Sequence, residues 1–510
     1  MMPPLSAGDV ERFRKVVARR LGLRFDESGL GQLADALGRR LKALGQVCEL
    51  YLERLESNHP ARDELGALAG ELTIGETYFF RNPDHFRALA ETAVPARMRA
   101  QHESRKLRVL AAGCASGEEA YTLAIVLRES ANLSWDLSIR AVDVNPAMIE
   151  RARSARYSTW SLRGTDPEVQ RRWFKQVDRE FVLDSGVGSA VVFEERNLAE
   201  DDADLWRPQT YDIVFCRNVL MYFEPEAAQA AVKRIARSMA PGGYLFLGHA
   251  ETLRGLSHDF HLEHTHDTFY YRRRTTLEDR GKGLEGAAHQ EAHVAALPRL
   301  SAIVEASETW VEAIRSSSDR ILELTRPPTE PVISGMASRE KAGWDLGQSL
   351  DLLEKERFGD AWDSVQTLPP ESAHDPEVLL LRAVLLTHGG QLEGAELMCS
   401  ELLEIDEFNS GAHYLLALCR EGVGDQSGAV EQDKIAAYLD PSFAMPRLHL
   451  GLIARRAGDN VSARREFGGA LLLLQREDTS RLVLFGGGFG REALITLCRA
   501  EIAGGGGRTA

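Results

Sequence analysis

Residues 107–119 read LRVLAAGCASGEE: a short apolar run, a turn carrying Gly113 and Gly117, and two carboxylates that open a helical stretch near Ala120. This order predicts a strand, a glycine turn and a helix, in which the backbone at the helix start can approach a ligand closely. The spacing is GxxxG rather than GxGxxG, and Glu118 and Glu119 stand where the pyrophosphate of a dinucleotide would lie. Acids there stabilise the helix end but repel phosphate, so the turn suits a neutral or cationic ligand. Three more apolar runs follow, LSIRAVDV at 137–144, YDIVFCRN at 211–218 and GGYLFLGH at 242–249, separated by helical sequence. Such alternation implies a mostly parallel sheet covered on both faces. Asp143 comes 26 residues after Gly117 at a strand end, where an acid accepts hydrogen bonds from ribose hydroxyls. ERNL at 195–198 and CRNV at 216–219 add polar residues to the same crevice.

On the amino-terminal side, apolar residues recur at helical spacing (Val10, Phe13, Val16, Val17, then Leu33, Leu37, Leu41, Leu44). This predicts a helical domain over 5–75, followed by the α/β domain over 76–272. Residues 273–338 are charged and small, with TRPPTEPVISG near their end, and read as a linker with a helix around Thr309–Leu324. A repeat follows over 339–505. Ala361, Ala395, Ala429 and Ala463 are 34 residues apart, as are Ala383, Ala417 and Gly451, and the turn glycines Gly390, Gly424 and Gly458. That period, with small residues where paired helices cross, is the tetratricopeptide pattern. Pro441 fits the proline that ends a repeat and Glu407 departs from it; Leu494–Ile502 is expected to cap the array, and the terminal glycines to be loose.

A chain of 510 residues suggests about three domains. Apolar residues at 44% and charged residues at 27% are ordinary globular usage. A net charge of -15 argues against a general nucleic-acid binder. The six cysteines are scattered, without a CxxC pair, which predicts neither a disulfide framework nor a bound metal. No apolar run reaches the ~18 residues of a membrane span, and the start is polar. These features read as a cytoplasmic protein without membrane insertion.

LTIGETYFFRN (72–82), VLAAGCASGEEAYTLAI (109–125), FCRNVLMYF (215–223) and PGGYLFLGHAE (241–251) occur in this order. In these motifs the chain resembles the CheR family, S-adenosylmethionine-dependent methyltransferases that esterify chemoreceptor glutamates, from about Leu5 to Tyr271. The resemblance implies a Rossmann-like methyltransferase domain between an N-terminal helical recognition domain and the repeats. It implies S-adenosyl-L-methionine as cofactor and S-adenosyl-L-homocysteine as product. Cofactor contacts are implied for Thr77, Arg81, Glu118, Asp143, Asn197, Arg217, Asn218 and Tyr222, with Arg81 and Tyr222 nearest the transferred methyl. Gly75 stands where family members commonly carry asparagine. The basic helical residues Arg39, Arg40 and Lys42 are expected to face an acidic receptor helix. Some members also grip a receptor tail with a small β-subdomain; its counterpart here, read as a hairpin over 180–195, looks short. The implied partners are a methyl-accepting chemoreceptor or similar signalling protein and an unidentified protein held by the repeats.

The chemistry agrees with that assignment. A glutamate carboxylate, with a pKa near ~4.3, is already ionised near neutral pH, so its methylation needs no general base. Orientation and removal of water must then lower the barrier. Arg81 is suited to holding a carboxylate and Tyr222 to orienting it, whereas His249 and Cys216 have no task and read as structural. Two rivals are a non-catalytic cofactor-binding adaptor that acts through its repeats, against which Arg81 and Tyr222 argue, and a methyltransferase of small molecules, against which the basic helices argue.

Overall fold

The computed structural model describes residues 5–275 and 352–504, apart from 58–61, 74, 131–134, 250, 354–356, 367, 369–371 and 373. The chain divides into two compact units, Met1–Asp279 and Arg280–Ala510. Most of the expected linker, its helix around Thr309–Leu324 and the terminal glycines beyond residue 504 lie outside the described residues.

The first unit opens with four helices, α1 (Ala7–Leu21), α2 (Leu30–Leu44), α3 (Cys48–Glu56) and α4 (Arg62–Leu72). A capping box between Ser6 and Asp9 starts α1, and Gly22, in the left-handed conformation at φ 72°, stops it. A Cβ at Gly22 would lie 3.1 Å from that of Ala199 and 3.2 Å from that of Ala227, so this helix end sits tightly on the α/β layer. Two connecting helices, α5 (Pro83–Ala88) and α6 (Val94–Ala100), lead into that layer.

Its strands are β1 (Lys106–Ala112), β2 (Asp136–Asp143), β6 (Val191–Glu195), β7 (Tyr211–Cys216), β8 (Met239–Leu247), β9 (Phe260–Thr265) and β10 (Thr268–Arg273), arranged in the order β6-β2-β1-β7-β8-β10-β9. The first five are parallel, and β10 and β9 add an antiparallel edge. Helices α7 (Glu118–Ser130), α8 (Pro146–Ser154) and α11 (Pro225–Ser238) cover the sheet. Asn145 caps α8, its side chain accepting from the N–H groups of Ala147 and Met148.

The segment read as a hairpin over 180–195 folds otherwise. β5 (Glu180–Leu183) pairs with β4 (Phe174–Val177) and β3 (Arg156–Tyr157) in a separate three-stranded sheet, reached through α9 (Pro167–Trp173), while β6 joins the main sheet beside β2. Between them Asp184 accepts hydrogen bonds from the backbone of Gly186 and Val187 and starts the short turn α10 (Ser185–Gly188), which redirects the chain. The tight turn of the hairpin that does form is at Asp178, with φ 56°. A small β-subdomain is therefore present.

The second unit is an array of paired helices. First helices begin at Pro376, Ser410 and Ala444, and second helices at Leu392, Gln426 and Asn460, both series repeating at the 34-residue period. Ala383, Ala417, Ala395, Ala429 and Ala463 are fully buried where helices cross. At Gly451 a Cβ would lie 2.9 Å from the Phe467 ring. Gly390, Gly424 and Gly458 all take positive φ in the intervening turns.

Candidate active site

Strand order reverses between β1 and β7, and a crevice opens outside their carboxyl ends. The cleft there is lined by Gly113 and Ala115 after β1, Asp143 at the end of β2, Asn197 after β6, and Asn218, Val219 and Tyr222 after β7. Its opposite wall comes from the connection between α1 and α2, at Leu23, Arg24 and Phe25. The two walls are joined: Arg24 N–H donates to the Tyr222 carbonyl (2.8 Å), Glu224 N–H to that of Gly22 (2.7 Å), and the Asn197 amide to that of Arg20 (2.7 Å).

Asp143 is held by its own strand end. Its Oδ2 accepts from Ala115 N–H and its Oδ1 from Asn145 N–H, both at 2.9 Å. Desolvation at the cleft wall pushes its carboxyl upward, and these backbone donors oppose the rise. At Gly113, φ 83°, a Cβ would lie 2.3 Å from Val219 Cγ2, so the turn admits no side chain. Asn218 also has positive φ (58°). Its loop is held by buried Glu251, whose Oε2 accepts from Asn218 (2.6 Å) and Gly248 (2.7 Å) and whose Oε1 accepts from Val219 (2.8 Å) and Met221 (3.2 Å). A Cβ on Gly248 would lie 2.6 Å from that carboxylate. Tyr222 ends the short helix that follows and is 38% exposed, so its side chain is accessible at the cleft.

Residues 75–269 match the family described as CheR methyltransferase, SAM binding domain. The chain is 30% identical over 252 residues to chemotaxis protein methyltransferase 1 of Pseudomonas aeruginosa, covering 48% of this chain and 88% of the relative. It is 33% identical over 202 residues to the chemotaxis protein methyltransferase of Vibrio parahaemolyticus, covering 38% and 71%. The chain belongs to the CheR methyltransferase family. It is an S-adenosylmethionine-dependent protein-glutamate methyltransferase. A longer match, 27% identical over 456 residues, covers 89% of this chain and 96% of the probable biofilm formation methyltransferase WspC of Pseudomonas aeruginosa, and so extends into the helical array.

The residues fit the CheR cofactor. Leu23, Phe25, Met148 and Val219 give the cleft apolar walls, and Asp143 gives it a carboxylate, a combination suited to an adenosine bearing a cationic group. Gly75 also lines it; a Cβ there would lie 2.9 Å from Met148 Sδ, so methionine occupies the space beside this glycine.

Of the site residues expected from sequence, Asp143, Asn197, Asn218 and Tyr222 meet at this cleft, whereas Thr77, Arg81, Glu118 and Arg217 do not line it. Arg217, with a side chain 2% exposed, pairs with Glu119 (2.9 Å) and donates to the Arg81 carbonyl (2.7 Å) and Asn82 Oδ1 (2.6 Å). It thereby anchors the turn bearing Arg81, although its burial weakens its hold on the proton. Arg81 itself donates to the Glu76 carbonyl (3.2 Å) and lies 5.9 Å from the Tyr78 ring. Glu118 is buried, accepts from Ser116 Oγ (2.7 Å), and is pushed upward by desolvation.

The basic face is partly neutralised. Arg40 makes a two-pronged pair with buried Glu64 (3.0 and 2.7 Å), which also accepts from Tyr51, and Arg39 pairs with Glu71 (2.6 Å). Arg40 therefore ties α2 to α4, and Lys42 is exposed. Burial drives the Cys216 thiol well above its ordinary range, which keeps it protonated. Glu251 and the wall from Leu23 to Phe25 went unrecognised in the sequence. The only local hint of Glu251 was an acid three residues beyond Gly248 at a strand end.

Proposed function

We propose that this CheR enzyme esterifies glutamate side chains of a methyl-accepting, chemoreceptor-like signalling protein, and that its repeats localise or regulate it through a protein partner. Cleft geometry carries the reading: one carboxylate at the end of β2 and a phenol on the β7 loop share a crevice with apolar walls. The chemotaxis methyltransferases among its relatives support a receptor-type substrate. We assign recognition to residues 5–75, catalysis to 76–272, linkage to 273–338 and partner binding to 339–505.

When bound, S-adenosylmethionine supplies an electrophilic methyl group on a sulfonium centre. Asp143 accepts hydrogen bonds from its ribose hydroxyls, and Asn197 and Asn218 hold polar edges nearby. The apolar walls exclude water, which strips solvent from an incoming carboxylate. Tyr222 orients that carboxylate without taking a proton, since the nucleophile is already ionised. Glu118 and Arg217 act from buried positions beside the turns that carry Ser116 and Arg81, and the Arg81 guanidinium pairs with the incoming carboxylate. Arg39 and Lys42 contribute long-range attraction to an acidic helix.

The test is transfer of labelled methyl from S-adenosylmethionine to a receptor cytoplasmic fragment, read as methanol released from the ester by alkali, with Arg81→Ala in parallel. Wild-type transfer with loss of turnover and an unchanged circular dichroism spectrum in the variant supports the reading. No transfer by wild type to any receptor fragment of the host removes the proposed substrate, and normal turnover by the variant removes Arg81.

A further inference from the structure

One period after Ala444 falls at Asp478, where a further first helix would be due. The helix found there, Thr479–Phe485, has only seven residues, and the following one, Arg491–Gly504, carries Leu494, Ile495 and Cys498 into the core built by Phe467, Ala470 and Leu474. The short Thr479–Phe485 helix folds back over the first helices of preceding pairs, where Phe485 meets Tyr414 and Phe443.

Phe485 is seated against residues of two successive helix pairs. Its ring centroid lies 5.1 Å from that of Phe443 and 5.9 Å from that of Tyr414, edge-on to both. A Cβ at Gly411 would lie 2.8 Å from Phe485 Cζ and 3.3 Å from Leu380, so the ring depends on a glycine there. Leu380 and Tyr414 are 34 residues apart, which places them on one continuous surface. One turn before Phe485, Arg481 pairs with Asp440 (3.0 Å) and lies 5.2 Å from the Phe443 ring. Beyond Phe485 comes the run Gly486–Gly488, with Gly487 and Gly488 at φ 62° and 81°, a conformation glycine adopts freely.

We propose that this surface is a ligand groove for a short helix of a partner protein carrying arginine and an aromatic residue one turn apart, and that the chain's own Thr479–Phe485 helix fills it until that partner displaces it. The socket defines the chemistry of the ligand: Gly411, Tyr414 and Phe443 accept an aromatic ring, and Asp440 accepts a guanidinium. A tethered occupant competes at an effective concentration of order millimolar. A free ligand therefore binds with an affinity reduced by the fraction of groove left open.

A labelled peptide of residues 477–490 is titrated into full-length wild type and into full-length Phe485→Ala, with circular dichroism as a control for folding. The variant should bind the peptide about tenfold or more tightly than wild type. Equal binding, or no binding by a folded variant, overturns the proposal. A second measurement uses wild type alone. Excess peptide should speed hydrogen exchange at amides 479–485, whereas a peptide with Arg481→Ala and Phe485→Ala should not; no change with the intact peptide overturns the proposal even where Phe485→Ala fails to fold.

Discussion

Asp143 and Glu251 show two uses of a carboxylate in one site. Asp143 spends one bond per oxygen on the backbone and still lines the cleft. Its replacement by alanine should weaken S-adenosylmethionine and S-adenosylhomocysteine alike, by about 1.5–3 kcal/mol for a hydrogen bond to a charged group. Calorimetry with unchanged affinity for both would remove Asp143 from the binding site. Glu251 instead gathers four backbone donors and holds the Asn218–Met221 segment in place. In Glu251→Gln an amide donor faces N–H groups, so the loop should shift and cofactor affinity fall about tenfold or more, a loss above ~1.4 kcal/mol. Thermal melting measured beside calorimetry separates this from general destabilisation: an unchanged dissociation constant would show that the loop does not depend on Glu251. Asp143 was legible because strand ends in this fold present such acids to ligands. Glu251 was not, because three of its four partners are backbone groups 30 to 33 positions away, and backbone groups leave no mark in residue type.

Among elements, the array carries a buried charge cluster that its periodicity does not announce. Fully buried His449 lies 2.6 Å from Asp433 and 3.0 Å from Glu421, and Arg456 closes on Glu421 from the surface. Burial alone would lower the imidazole, but the flanking carboxylates carry it up to about 9. A folded-state value above the ordinary 6.5 means stability fully present below pH 6.5 and lost as pH rises through about 9. Amide exchange in helices Ser410–Gly422 and Ala444–Arg456 should therefore quicken over that window beyond its intrinsic pH dependence, and His449→Gln should flatten the excess. An excess of equal size in the variant would place the pH sensitivity elsewhere. The hairpin expected over 180–195 failed at this same scale. Two strands with a glycine-bearing turn between them look alike whether they pair with each other or with different sheets, and Asp184 capping the turn decided against mutual pairing.

For the whole molecule, the division into Met1–Asp279 and Arg280–Ala510 bears on how function is distributed. A chain ending near Arg274 retains every residue of the cleft, so it should fold and bind S-adenosylmethionine with wild-type affinity. Single-turnover methylation with excess receptor should be spared, while pathway output in cells should fall if the array supplies localisation. A truncated enzyme that binds cofactor but transfers no methyl would place the array inside the chemistry. The expected boundary at residues 75 and 76 lies within the first unit, since the α1–α2 connection bonds to the β7 loop and helps to close the cleft.

Sequence alone determined the elements whose signal is periodic or punctuated: the strand, glycine turn and helix at 107–119, the alternation that makes a parallel sheet, and the 34-residue helix pairs. Each rests on local sterics and burial, which act within a few residues of the chain. It also put Asp143 and Asn218 at the crevice they line, because topology brings strand ends together there. Tertiary structure decided the rest, where the partner of a side chain lies far away in sequence. Arg40 became a tie to Glu64 and Arg217 an anchor for the Arg81 turn, because a guanidinium withdrawn from water must find a carboxylate or carbonyls. The cleft gained a wall from Leu23 to Phe25 because Gly22 lets α1 end against the α/β layer. Phe485 found its socket because Gly411 leaves room for a ring that only the folded array brings near it.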